Sequence, residues 1–215
     1  MGGEEKEFFK VVYKGVRIPL VQRTVLMFIE RGIEGRDIYV LSGKPVMRLL
    51  TLSDNINVVD PGSPEFMLVD WKKAMDYWGE ECVITFGDVL WSERAMDTMF
   101  EQDRYRRIGS KRKHGGEGFG WKAFGTDKEF VLPHCDFAID YIRKNGPRPG
   151  DGGWQMYRHM IGIHPEQNLF EDEIFCDIDR GGEDYTMDFD YPRDYDHYRA
   201  KIEPAILAEG KIEIL

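Results

Sequence analysis

Cysteine is scarce in this sequence, with Cys82, Cys135 and Cys176 the only three in 215 residues, and none of them forms a CxxC pair. An odd, widely spaced set excludes a disulfide framework and a zinc ribbon, and it points to a reducing compartment. Long apolar runs are missing as well. Nothing approaches the roughly 20 residues that cross a bilayer, and the opening stretch MGGEEKEFF is acidic and lacks the apolar centre of a signal peptide. The expectation is a cytoplasmic chain with no membrane partner. Basic residues are outnumbered, 29 against 39 acids, for a formal charge of −10. Such an excess weighs against nucleic acid as a partner. There is no internal repeat. What the chain does have is 42% apolar and 13% aromatic residues, enough to bury the core of a single domain.

The average charge hides a division. Residues 104–114 (RYRRIGSKRKH) carry six Lys or Arg and no acid, whereas residues 166–196 carry twelve acids against Arg180 and Arg193. Each run reads either as a solvated face or as a binding surface.

The spacing of Val21, Val25, Phe28 and Ile29 predicts a helix over 21–31, stopped by Gly32. Residues 37–41 (DIYVL) read as a strand buried on both faces, and 56–59 as another. A helix over about 65–78 follows, with Ser63 as its cap and Pro64 in its first turn. Residues 82–86 (CVITF) form a third buried strand, and Ser92 caps a helix over 93–101. Alternating strands and amphipathic helices imply an α/β fold with a mostly parallel twisted sheet flanked by helices. The second half is less regular. It offers a strand over 120–124, helices over about 130–144 and 154–161, a strand over 174–178 and a helix after Pro192. The breaker cluster NGPRPGDGG (145–153) is the internal joint.

Two segments carry candidate chemistry. In VITFGDVLWS (83–92) a strand ends in Gly87-Asp88, delivering a carboxylate to the carboxyl edge of the sheet, where open α/β sheets bind ligands. Gly87 lets a ligand approach the backbone closely. Asp88 either holds Mg²⁺ or Mn²⁺ bridging phosphate oxygens or caps the following turn. In MDFDYPRDYDHY (187–198), Asp188 and Asp190 alternate with apolar residues, so both carboxylates can face one side. Read otherwise, this is a solvated acidic surface. His164 and His197 are either metal ligands or surface residues.

GDVLWS after a buried strand, the turn and helix DPGSPEFMLVDWKKAM before it, and the late DFDYPRDYD together resemble the nucleotide-sugar glycosyltransferase and nucleotidyltransferase superfamily with the GT-A fold. KVVYKGVRIPLVQRTVLMFIERGIEGRDIYVLSG (10–43) is similar to the early segment of that family. The resemblance covers about residues 10–100 and 173–199. It implies a single GT-A-like domain, with 10–103 the nucleotide-binding half and 104–215 the acceptor side. It further implies Asp88 and Asp190 as ligands of Mn²⁺ or Mg²⁺, Lys10 near the phosphates, and the turn Asp60, Gly62, Ser63 near the base. A nucleotide sugar such as a UDP sugar would be the donor.

One departure bears on the reaction. Sugar nucleotidyltransferases open with a hydrophobic strand and a Gly- and Arg-rich triphosphate loop, which MGGEEKEFF does not supply, so sugar transfer is favoured. Glu183, Asp184 and Asp188 are unranked candidates for the carboxylate that takes the acceptor proton. The basic segment, with Arg104, Arg106, Arg107, Lys111, Arg112 and Lys113 beside Tyr105, Phe119 and Trp121, suits a backbone-tracking, base-stacking surface. Virus-encoded enzymes of this fold glycosylate hydroxymethylated bases in DNA, and the chain resembles that compact type, which would work in the host cytoplasm. A DNA acceptor such as 5-hydroxymethylcytosine is therefore one expectation; donor-diphosphate binding by these cations is the other. A nucleotidyltransferase acting on a sugar phosphate or phosphocholine-like substrate, or a non-catalytic nucleotide-sugar-binding module, stand as alternatives.

Overall fold

The computed structural model describes residues 9–42, 55–62, 67–110, 117–146, 153–167, 174–178, 184–189 and 191–209. It opens with a hairpin in which β1 (Lys10–Tyr13) and β2 (Val16–Pro19) pair antiparallel, Tyr13 opposite Val16. Lys14 and Gly15 both have positive φ, 47° and 78°, the conformations a two-residue type I′ turn requires. The Lys14 ammonium and the Tyr13 hydroxyl both reach Glu30, at 2.7 and 2.6 Å. That ties the hairpin tip to the end of α1 (Leu20–Glu30), the helix that the apolar spacing predicts.

β3 (Tyr39–Leu41) and β4 (Asn57–Val59) pair in parallel. α2 (Met67–Ala74) tightens into a 3₁₀ turn and leads to β5 (Glu81–Thr85) and the short β6 (Val89–Leu90). α3 (Glu93–Phe100) begins at Ser92, whose Oγ accepts the Ala95 N–H at 2.9 Å, a capping bond that the sequence predicts. Then come β7 (Arg106–Ser110), β8 (Glu117–Phe124), α4 (Lys128–Asn145), α5 (Gly153–Met160), β9 (Phe175–Asp177) and β10 (Met187–Asp188). α6 (Pro192–His197) runs through a π turn into α7 (Glu203–Glu209). No helix among the described residues is long and apolar enough to cross a membrane.

The result is a mixed α/β fold whose largest sheet has the order β5-β8-β7-β9. The expectation of a mostly parallel sheet is not met among the described strands. Four pairings are antiparallel and two, β3 with β4 and β7 with β9, are parallel. In the main sheet the reason is β8, which lies between β5 and β7, the latter formed by part of the basic segment, and runs antiparallel to both. Nor is the strand at 37–41 buried on both faces, since Tyr39 is 41% exposed.

Helices cover the sheet on both sides. Leu68 and Trp71 of α2, Val131, Cys135 and Ala138 of α4 and Met156 of α5 pack with Trp121 and Ala123 of β8. Met27 of α1 and Ala95, Met96 and Met99 of α3 pack with Ile108 and Phe119. Phe119 and Trp121 lie two residues apart and would share a face in a regular strand. A register shift between Ile108 and Gly109 leaves Phe119 as the extra residue of a bulge, which turns it to the opposite side.

Burial corrects part of the expected acceptor surface. Arg107 is 2% and Trp121 1% exposed, so neither presents a surface to nucleic acid. The Arg107 guanidinium lies 3.6 Å from the Trp154 ring centre, with the Trp121 and Tyr157 rings at 5.3 and 5.2 Å. It donates to the Gly153 carbonyl at 2.6 Å, and burial pushes its pKa down to about 9. Gly118 makes room for it, because a Cβ there would overlap the guanidinium. Arg107 is thus a core residue held by ring faces and one carbonyl. Arg107→Ala should cost about 3 kcal/mol through lost packing. A urea melt checks this, and an unchanged midpoint would return Arg107 to the surface.

α4 and α5 meet at a histidine pair, with the Nδ1 atoms of His134 and His159 2.8 Å apart and the His159 ring stacked on Phe137 at 3.7 Å. Burial first, and the neighbouring His159 second, hold the His134 pKa below its ordinary 6.5. The unfolded chain therefore takes up a proton that the folded pair refuses. Stability from this contact is complete above pH about 6.5 and declines as the pH falls below it. Urea midpoints should drop between pH 7.5 and 5.5, and His134→Gln should flatten that slope.

Candidate functional site

The acidic C-terminal segment and the Gly87-Asp88 strand end, far apart in sequence, meet in the fold. β10 pairs antiparallel with β6, Met187 opposite Leu90 and Asp188 opposite Val89. One step further, the Phe189 N–H donates to the Asp88 carbonyl at 3.1 Å. Asp88 and Asp188 are both half-buried and stand on neighbouring steps of this ladder. Asp88 lies in the turn that leads into β6, where the pleat does not dictate side-chain direction.

A hydrogen-bonded node locks the junction. The Ser92 hydroxyl, besides capping α3, donates to Asp184 Oδ2 at 2.7 Å, and the Ser92 N–H donates to Thr186 Oγ1 at 2.9 Å. The Thr186 N–H in turn donates to Asp184 Oδ1 at 2.7 Å. Arg94 completes the set, 3.4 Å from Asp184 and 3.3 Å from the Ile178 carbonyl. Asp184, an expected proton acceptor, accepts at both oxygens through these contacts.

A third contact comes from α1. The buried Arg23 donates to the Trp91 carbonyl at 2.6 Å, with its guanidinium 5.3 Å from the Tyr13 ring centre. It thereby fixes the loop after β6. Sequence reasoning missed Arg23 and Arg94, although a charged residue among Leu20, Val21, Thr24 and Val25 on one helical face signals a buried partner.

The N-terminal hairpin joins the same region. Phe9 packs on Phe189 and stacks on Tyr195, with ring centres 5.9 and 4.7 Å apart. The Val12 N–H donates to the Tyr198 hydroxyl at 2.6 Å, and the Tyr195 hydroxyl donates to the Lys10 carbonyl at 3.3 Å. Lys10, exposed, therefore sits against the helix that follows the acidic segment.

The other expected residues disperse. Asp60 is exposed and accepts the Gly62 N–H at 2.8 Å, while the Lys73 ammonium bonds the Pro61 carbonyl. Gly62 takes a positive φ of 88° that this turn requires. Gly87 lines a cavity of about 930 Å³ bounded by α1, β3, α2 and β5. Arg104 is exposed and Arg106 half-buried. Ser63, Lys111, Arg112, Lys113, Glu183 and Asp190 lie outside the described residues. His164 and His197 are exposed, and no group of three or more His, Cys, Asp or Glu able to hold a metal occurs among the described residues.

No protein-family model matches this chain, and no curated protein matches it either.

Ser92→Ala and Asp184→Asn should each cost about 1–2 kcal/mol by removing a cap or its buried partner. Because both act on one node, the double variant should lose less than the sum. Additive losses in urea melts would show that no such node exists.

Proposed function

We propose that this chain is a metal-dependent transferase on a GT-A-like scaffold, moving a sugar from a nucleoside-diphosphate sugar to a hydroxyl acceptor. The observation that carries the reading is the β6–β10 ladder, which joins the Gly87-Asp88 strand end to the DFD segment. Asp88 and Asp190 would hold Mg²⁺ or Mn²⁺, whose chemistry is to neutralise charge on the departing diphosphate. Carboxylate oxygens are the donors that such a hard cation prefers.

In the transfer, the acceptor oxygen bonds to the anomeric carbon as the bond from that carbon to the β-phosphate oxygen breaks. The hydroxyl proton passes to a carboxylate. Asp188, on the ladder step beside Asp88, is assigned that role. Lys10 and Arg94 are the cations assigned to the leaving diphosphate. Arg104 and Arg106 are what the described residues leave of the basic surface for a DNA acceptor.

The test is a panel of UDP and GDP sugars with Mn²⁺, run with and without hydroxymethylated DNA. Nucleoside-diphosphate release should fall about 100-fold or more in Asp88→Asn and Asp190→Asn. Pyrophosphate released from a nucleoside triphosphate would favour nucleotidyl transfer, and binding of donor without turnover would leave a binding module.

A further inference from the structure

The cavity between β3 and β5 has walls of an unusual kind. Its lining includes the consecutive residues 39–42 and 81–87, whereas a cavity lying over the face of a sheet would touch every second residue. It therefore runs along two strand edges. β3 pairs with β4 alone and β5 with β8 alone among the described strands, so each has one open edge.

Alternation identifies the groups on those edges. The Ile38 carbonyl accepts from Asn57 and the Ser42 N–H donates to Val59. Ile38, Val40 and Ser42 thus spend their backbone groups on β4, and those of Tyr39 and Leu41 face away. On the other wall the Glu80 carbonyl accepts from the Gly125 N–H. Cys82 and Ile84 continue that bonding towards β8, and the backbone groups of Glu81, Val83 and Thr85 face away. Two short rows of backbone donors and acceptors are left without a strand to bond among the described residues.

The side chains around these rows are apolar, with Val25, Phe28, Trp71 and Phe86 among them. The charged lining among the described residues is acidic: Glu34, Asp37, Asp70 and Glu81, with no Lys or Arg. Arg36 offsets Glu34, Lys122 offsets Glu81 and the Lys73 ammonium stands near Asp70, which leaves Asp37. Asp70 Oδ1 and the indole nitrogens of Trp71 and Trp78 are buried without a hydrogen-bond partner. Such a wall repels phosphate and favours an uncharged or cationic occupant.

We propose that this groove takes up an extended segment of a partner polypeptide, apolar at alternate positions and carrying Lys or Arg, as a strand added between β3 and β5. Backbone hydrogen bonds to both edges supply affinity, and the apolar walls and acids select side chains. The open edge of β5 is about 17 Å long, which accommodates about five residues. Filling the groove would also satisfy an edge that otherwise templates aggregation. The inference does not rest on the transferase reading, because the acids that reading uses are not in the groove walls.

The probe is a fluorescein-labelled nine-residue peptide alternating valine with lysine. Its binding to the full chain is followed by anisotropy, and backbone protection by hydrogen exchange. The peptide should saturate the protein, and the amides of Leu41, Val83 and Thr85 should slow at least tenfold while those of Val40 and Ile84 change little. N-methylation of alternate peptide amides, or glutamate in place of lysine, should weaken binding tenfold or more. Leu41→Pro and Val83→Pro remove outward N–H groups and should abolish binding while leaving the circular dichroism unchanged. As a second variant, the exposed Asp37→Lys should shift preference towards the glutamate peptide. Equal binding of the N-methylated peptide would overturn the proposal, as would displacement of the peptide by a nucleotide sugar. Self-association of the chain that the peptide competes away would assign the groove to a second copy and overturn it too. Asp88→Asn should bind the peptide normally, which separates this test from the transferase assay.

Discussion

Two residue pairs and one hydroxyl hold the candidate site together. β6 and β10 are each two residues long, and a ladder of that length cannot stand alone in water. It persists because Ser92 uses one side chain for two tasks, ending the helix N-terminus and receiving Asp184 and Thr186 from 92 and 94 residues away. Arg23 holds the same loop from the other side through the Trp91 carbonyl. Phe189, Phe9, Tyr195 and Tyr198 pack beneath it. The acids at the junction are therefore positioned by groups that are not themselves acidic chemistry. This is the supporting shell that any precise site requires.

The features legible in the sequence were those set by local contacts. The apolar stripe of α1, the Ser92 cap and the length of α4 follow from spacing and capping alone, and each appears within a residue or two of its expected bounds. The meeting of Gly87-Asp88 with the DFD segment was anticipated as chemistry, yet the ladder that achieves it carries no sequence signal, since two-residue strands fall below any periodicity. Within the basic segment Arg107 departs from the surface expected of a charge run. Arg106 and Arg107 alternate as strand residues, and only the ring faces of Trp121, Trp154 and Tyr157, two of them distant in sequence, reveal why Arg107 turns inward. Phe119 and Trp121 fall on opposite faces because of a bulge, a one-residue insertion that pattern reading cannot see.

Three buried cations illustrate how differently such groups are accommodated. Lys122 reaches the partly exposed Glu81 and the Phe100 carbonyl, so its charge is paired at the rim. Arg23 has a carbonyl, a thioether and an aromatic ring. Arg107 has a carbonyl and three rings, with its Nε unpartnered. Desolvation works against each charge, and these contacts are geometrically demanding in return. A residue that must find a particular carbonyl among several rings tolerates few alternative packings. In this fold the buried cations link elements remote in sequence: α1 to the loop after β6, β7 to α5, and β8 to the end of α3.

The open edges and the acidic junction are connected by covalent structure. β5 runs from Glu81 to Thr85 and, two residues later, delivers Gly87 and Asp88. Its partner β8 bonds every second residue, and the last rung, Thr85 with Gly120, is a non-bonded step by the alternation that starts at Glu80. The segment from Thr85 to Asp88 is therefore restrained by the Ile84 rung behind it and by the Phe189 N–H ahead of it. Local opening free energies follow the number of such restraints. The turn bearing Asp88 is bracketed at both ends and closed by the Val89 N–H, which donates to the Phe86 carbonyl at 3.5 Å. Its forward bracket depends on how firmly the Ser92 node holds β10, since the bond from Phe189 to Asp88 lasts only as long as β10 stays docked.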